Sequence, residues 1–147
     1  VASCGFCYGK DGSLIPLCGG IPASYKGYFL HAVIPQNVSA VSFGCVMFRK
    51  DAFQKAGGMD LSMTGIYRDA DCCFRFALCG YDTAVTPEVL AVEYEADLAE
   101  ENEENQKQRF LDRWEEKLMQ PDPCYNRNLS LAAGCTYAMK RHQPDFL

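Results

Sequence analysis

No stretch of this 147-residue chain reaches the ~18–20 uninterrupted apolar residues that a helix needs to cross a bilayer, so a transmembrane segment is not expected. The first residues lack the basic start and apolar block of a secretion signal. An initiator methionine is missing as well: the chain opens at Val1, which fits an excised piece or a processed chain. There is no excess of base, with 14 Lys and Arg against 19 Asp and Glu for a net charge of −5. Binding along a nucleic-acid backbone needs clustered cations, so a nucleic-acid partner is not expected. Histidine is scarce, and neither His31 nor His142 stands at a finger-like distance from Cys4-Gly-Phe-Cys7. No second cysteine pair with that spacing follows, which leaves a zinc or redox reading of Cys4 and Cys7 short of ligands. The nine cysteines are odd in number and irregular in spacing, so a disulfide framework is not expected and reduced, buried thiols are. A soluble single domain over residues 1–147 is the expectation.

Within those bounds, apolar and small residues alternate from Ser3 to Gly20 around Asp11-Gly12, which predicts a hairpin. Residues 21–37 mix glycine, proline and aromatics without period, as an irregular loop does. The β-branched, apolar run from Val38 to Phe48 predicts a buried strand. Asp51 is placed to cap a short helix through Lys55 that Gly57-Gly58 stops. A helix is predicted over Asp69–Cys79 with an acidic first turn and Gly80 as its left-handed end. Short strands are predicted at Thr83–Thr86 and Val89–Tyr94. Glu100–Met119 reads as the longest helix, with Phe110, Trp114 and Leu118 four residues apart on a face that also holds Leu111. After Pro121-Asp122-Pro123 the tail reads as extended and irregular. The seven carboxylates between Glu93 and Glu104 read as a solvated run feeding the first turn of that helix.

The chemistry concentrates in Arg68-Asp69-Ala70-Asp71-Cys72-Cys73-Phe74-Arg75. Two acids two residues apart on a helix point in different directions, so one can brace the turn while the other faces outward. The plain structural reading is that both stabilise a helix N-terminus. Asp-Ala-Asp also has the form of the D-x-D that holds magnesium or manganese on a diphosphate. Its place after a helix, a double glycine and a loop argues against that role.

In order and spacing these segments resemble the C-terminal half of bacterial family 2 glycosyltransferases of the GT-A fold, particularly those that build O-antigen and other surface polysaccharides. Gln36-Asn37-Val38-Ser39-Ala40-Val41-Ser42 and then Cys45 to Phe53 resemble the family's QNVSAVTGACLLVRREVF. Gly57-Gly58-Met59-Asp60 is similar to GGFDE. Arg68-Asp69-Ala70-Asp71 with Cys73 and Arg75 resembles (E/N)DVDLCLR, and Gly80-Tyr81 with Pro87 resembles GYRxxxxPxA. Phe110, Arg113-Trp114, Leu118 and Asp122 to Leu131 resemble the ending F…RW…L…DPYYNPNLSL. The resemblance covers most of the chain.

It implies an α/β fold: the acceptor-side part of a GT-A domain, with a mixed sheet, packed helices, a long C-terminal helix and an extended tail. It further implies an inverting, hexosyltransferase-type enzyme that moves a sugar from a nucleotide-sugar donor to a glycan or lipid-linked acceptor, in the cytoplasm or at the inner face of the membrane. Asp69 matches the general base; Asp71 and Arg75 match bracing positions, and Asp60 the acceptor-side wall. Two departures stand out: Arg68 replaces Glu or Asn, and Glu93 stands where the family's histidine completes a magnesium or manganese site. The family's nucleotide-binding half has no counterpart in this sequence. The chain alone is therefore expected to hold no metal tightly, to be inactive by itself and to self-associate. A non-catalytic carbohydrate- or partner-binding module, using the aromatic loop Tyr25 to Phe29 and the tail near Tyr125, is the alternative.

Overall fold

The structure, a computed structural model, describes residues 3–89 and 103–131. It is a small mixed α/β domain with two short antiparallel ladders and three α-helices among the described residues. The first ladder pairs β1 (Phe6–Tyr8) with β2 (Leu14–Pro16), in the register Phe6↔Pro16, Cys7↔Ile15 and Tyr8↔Leu14. The turn that joins them is the predicted one. Gly12 takes φ 74°, a left-handed value that costs a glycine no Cβ clash, and the Asp11 carboxylate accepts from both the N–H and the hydroxyl of Ser13. The second ladder pairs β3 (Gln36–Asn37) with β4 (Ala84–Val85). The chain just after β3 reaches the first ladder through an antiparallel bridge between Ala40 and Phe6.

The strand predicted from Val38 to Phe48 does not continue past that bridge. Val38 and Ala40 are buried, but Ser42, Gly44, Cys45 and Met47 are exposed. The reason is where the backbone donors go. The Phe43 N–H donates to the Asp69 carboxylate at 2.9 Å, and a side chain thereby takes the bond a neighbouring strand would otherwise accept.

Helix α1 spans Lys50–Lys55, with Arg49 at its N-cap and Asp51 inside its first turn, where it pairs with Arg49 and does not cap. Helix α2 spans Gly65–Leu78 and so begins four residues before the predicted start. Thr64 is its extended N-cap residue, and Ile66 and Tyr67 supply apolar contacts that carry the helix back past the acids. Its end falls as predicted, with Gly80 at φ 82°. Helix α3 spans Glu103–Leu118 and departs from helical geometry at Trp114, where φ is −114° and ψ 16°. The predicted start of α3 at Glu100 and most of the predicted strand Val89–Tyr94 lie outside the described residues.

The main core lies between α2, α3 and the first ladder. Tyr67, Cys73 and Phe74 of α2 meet Phe110, Trp114 and Leu118 of α3, the face read from their four-residue spacing, with Phe6 and Tyr8 beneath. Trp114 stands edge-on to Phe74, ring centroids 5.2 Å apart, and Tyr8 does the same from the other side at 5.3 Å. Burying each such ring contributes about 1.5–3 kcal/mol. The opposite side of α2 packs Cys72 and Phe76 against Ala52 and Ala56 of α1. Because α2 is covered on both sides, the polar residues along it are held rigidly.

Candidate active site

Asp69 and Asp71 lie in the interior of α2, in its second turn, and not at its mouth. The dipole of the free helix end is therefore not what holds them. Side-chain partners do this instead, and the two acids face different ones.

Asp71 is fully buried and fully engaged. Its Oδ2 accepts from Arg75 Nε at 2.8 Å, one turn along α2; its Oδ1 accepts from Arg113 Nη1 and from Trp114 Nε1, both at 3.0 Å, from α3. Arg75 donates onward to the carbonyls of Ala56 and Gly58, in the double-glycine stop of α1. Arg113 also meets Asp60 at 2.7 Å. The Ser62 side chain and N–H, together with the Arg113 guanidinium, hold the Asp60 carboxyl well below the usual carboxylate range. One carboxylate thus ties together α2, α3 and the loop from α1. A buried charge compensated by two guanidiniums and an indole is stable where an unpaired one is not. Asp71 and Arg75 brace α2 against α3 and the loop after α1, and Asp60 stands on the Arg113 side of the brace.

Asp69 is buried too, but its partners leave it at the edge of the core. Its Oδ2 accepts from the Phe43 N–H, while Arg68 reaches its Oδ1 with Nε at 3.3 Å and Nη2 at 3.2 Å. Arg68 keeps about a third of its side chain in solvent, against 7% for Asp69. One oxygen of the Asp69 carboxylate is thus fixed by a backbone donor, and the other is covered by a cation that reaches the surface.

A cleft of about 670 Å³ lies elsewhere, between the hairpin and the tail. Tyr8, Lys10, Asp122, Tyr125 and Arg127 are among its lining residues, and Asp60, Asp69 and Asp71 are not. Sequence reasoning gives Asp122 no site role, although it opens the segment that resembles the family's ending. Buried under the cleft, it accepts from the Tyr8 N–H at 3.0 Å, the Ser39 hydroxyl at 2.6 Å and the Cys124 N–H at 2.8 Å. The local signal was an acid two residues before an N–H it could accept from, flanked by prolines. Its partners at residues 8 and 39 leave no trace in the sequence nearby.

Glu93 lies outside the described residues. Among the described residues no three His, Cys, Asp or Glu side chains converge so as to hold a metal ion, and Cys4 and Cys7 have no third ligand.

Over 119 residues, 75% of its length, the chain is 31% identical to an uncharacterized protein, y4gI, of Sinorhizobium fredii (strain NBRC 101917 / NGR234), and it spans 13% of that protein. No family model matches the chain, and no solved structure matches it. No helix among the described residues is long and apolar enough to cross a membrane.

Proposed function

We propose that this chain is the acceptor-side part of an inverting glycosyltransferase of the GT-A type, with Asp69 as its general base. The observation that carries the reading is the hold on Asp69: one oxygen fixed by the Phe43 N–H, the other reached by the partly exposed Arg68. In the reaction an acceptor hydroxyl oxygen attacks the anomeric carbon of a nucleotide sugar. The bond from that carbon to the diphosphate oxygen breaks, the nucleotide diphosphate leaves with the electron pair, and the hydroxyl proton passes to Asp69. The Asp71–Arg75–Arg113 brace keeps α2 in place, which matters because a shift of ~1 Å in a base can cost on the order of a hundredfold in rate. Donor binding belongs to sequence outside this chain in the same reading. Magnesium or manganese would neutralise the diphosphate, and Glu93 is the oxygen ligand this chain would offer. The expected setting is cytoplasmic, making bacterial surface polysaccharide on a glycan or lipid-linked acceptor.

The test is Asp69→Asn in the longer polypeptide, assayed for transfer from a panel of nucleotide sugars with its circular dichroism checked. Loss of about a hundredfold or more is expected for a general base, and a fall of only a few-fold removes the assignment. For the chain alone, calorimetry with nucleoside diphosphates and manganese is expected to show no micromolar binding.

The exposed aromatic loop favours a second reading, a carbohydrate- or partner-binding module. Phe29 is 76% exposed and Tyr25 55%, with Leu30, Val33 and Ile34 exposed beside them. Phe29 and Leu30 both hold left-handed backbone angles, φ 46° and 65°, which side-chain-bearing residues seldom adopt and which recur where a surface is shaped for contact. Glycan retention lost in Phe29→Ala but kept in Asp69→Asn would favour this reading over the first.

A further inference from the structure

The open end of the hairpin brings together two cysteines far from Asp69. The Cys4 N–H donates to the Leu17 carbonyl at 2.7 Å and the Leu17 N–H to the Gly5 carbonyl at 2.8 Å, so Cys4 and Gly5 together face Leu17 in a bulge that extends the β1–β2 ladder. The bulge sets Cys4 across from Leu17, next to Cys18 in the chain, so that the two cysteines adjoin at the hairpin end. Both are buried in one apolar cluster with Cys7, Leu17, Val38 and Leu129. Cys18 holds φ 58°, and a Cβ built on Gly27 would come within 3.4 Å of its sulfur, so the loop that carries Tyr28 and Phe29 rests on this thiol. Sequence spacing singles out Cys4 with Cys7; the fold instead pairs Cys4 with Cys18.

We propose that Cys4 and Cys18 are an oxidisable pair that closes to a disulfide, clamping the hairpin end beneath the aromatic loop. With hydrogen peroxide as oxidant, the Cys4 sulfur attacks one peroxide oxygen and the O–O bond breaks. The departing hydroxide takes up the thiol proton as water, leaving a sulfenic acid on Cys4. The Cys18 sulfur then displaces that hydroxyl, which leaves with the Cys18 proton as a second water. The two thiols supply the two electrons that reduce the peroxide. Burial, with the Cys18 thiol adjoining, pushes Cys4 up to about 11, so little thiolate is present at neutral pH and oxidation is expected to quicken as the pH rises. The inference is independent of the transferase reading.

The test is to treat the full chain with hydrogen peroxide at mildly alkaline pH, block remaining thiols with N-ethylmaleimide, and digest with trypsin. Cleavage after Lys10 and Lys26 leaves Cys18 as the sole cysteine of peptide 11–26 and separates it from Cys4 and Cys7 in peptide 1–10. A linked pair of these peptides is expected, two hydrogens lighter than the sum of peptide 11–26 and of peptide 1–10 carrying one maleimide on Cys7, with fragmentation placing the bond on Cys4. The link is expected to persist in Cys7→Ser, to vanish in Cys4→Ser, and to raise the thermal midpoint by several degrees. A bond on Cys7, a link between two chains, or Cys4 oxidised to sulfinic acid with Cys18 still blocked by maleimide would each overturn it. Fragmentation of the wild-type peptide decides between Cys4 and Cys7 even if a variant fails to fold.

Discussion

The indole N–H of Trp114 donates to Asp71 Oδ1 at 3.0 Å across 43 positions of sequence, so the principal aromatic of α3 is also a polar partner of the buried acid of α2. Trp114 packs against Phe74 on one side and completes the carboxylate's shell on the other. Trp114→Phe keeps most of the packing and removes the donor. It is expected to lower stability in urea by roughly 1.5–3 kcal/mol, the range for a hydrogen bond to a charged group. Asp71→Ala, which leaves two guanidiniums without their buried partner, is expected to lose about 3–5 kcal/mol.

Asp122 gives a second test of buried carboxylate chemistry. Asp122→Ala orphans the Tyr8 N–H inside the fold and frees the tail from Ser39. A loss of about 2–4 kcal/mol is expected, since a buried donor left unmade costs ~1–3 kcal/mol by itself. Equilibrium unfolding monitored by tyrosine fluorescence reads it. An unchanged midpoint would show that the tail is held by other contacts.

Alkali is expected to weaken the fold, with a sign that follows from the thiols. Burial, with Asp122 adding to it, pushes Cys7 up to about 12, and burial pushes Cys73 up to about 11, both from an ordinary value of 9.0. The folded state therefore keeps protons that the unfolded chain releases above pH 9. The stabilisation they give is complete below pH 9, declines above it and is gone once the pH passes the folded values. Each thiol contributes a slope on the order of 1 kcal/mol per pH unit in that window. Urea midpoints measured at pH 8 and pH 10 should differ, and Cys7→Ala should reduce the difference.

Gly80→Ala isolates a backbone effect. Nothing lies within 4 Å of a Cβ built there, yet φ is 82°. A loss of about 1–2 kcal/mol is expected from the left-handed conformation alone, and thermal melts of the variant measure it.

Features set by local spacing were legible in the sequence. The Asp11-Gly12 turn, the Gly80 stop and the Phe110–Trp114–Leu118 face each depend on residues a few positions apart, which is the range over which turn chemistry and helix periodicity act. What was not legible depends on distant partners. The apolar run after Val38 suited a strand until Asp69, 26 residues on, took the N–H of Phe43. The start of α2 lies before the acids because Ile66 and Tyr67 have a core to meet, while the acids gain guanidinium and indole donors from α3. That the two acids face different partners did follow from their two-residue separation, but neither faces outward, since both are buried. The identity of Arg113 and Trp114 as partners did not.

The Asp122 latch also bears on how the molecule comes to be folded. Its bond to the Tyr8 N–H joins residues 114 positions apart. Closing that contact brings an early hairpin and a late turn together, and contacts of such long range slow folding. During synthesis the hairpin emerges well before residue 122, so the Tyr8 amide lacks this partner until that part of the chain has left the ribosome. The cleft between hairpin and tail is therefore among the last surfaces of the domain to form.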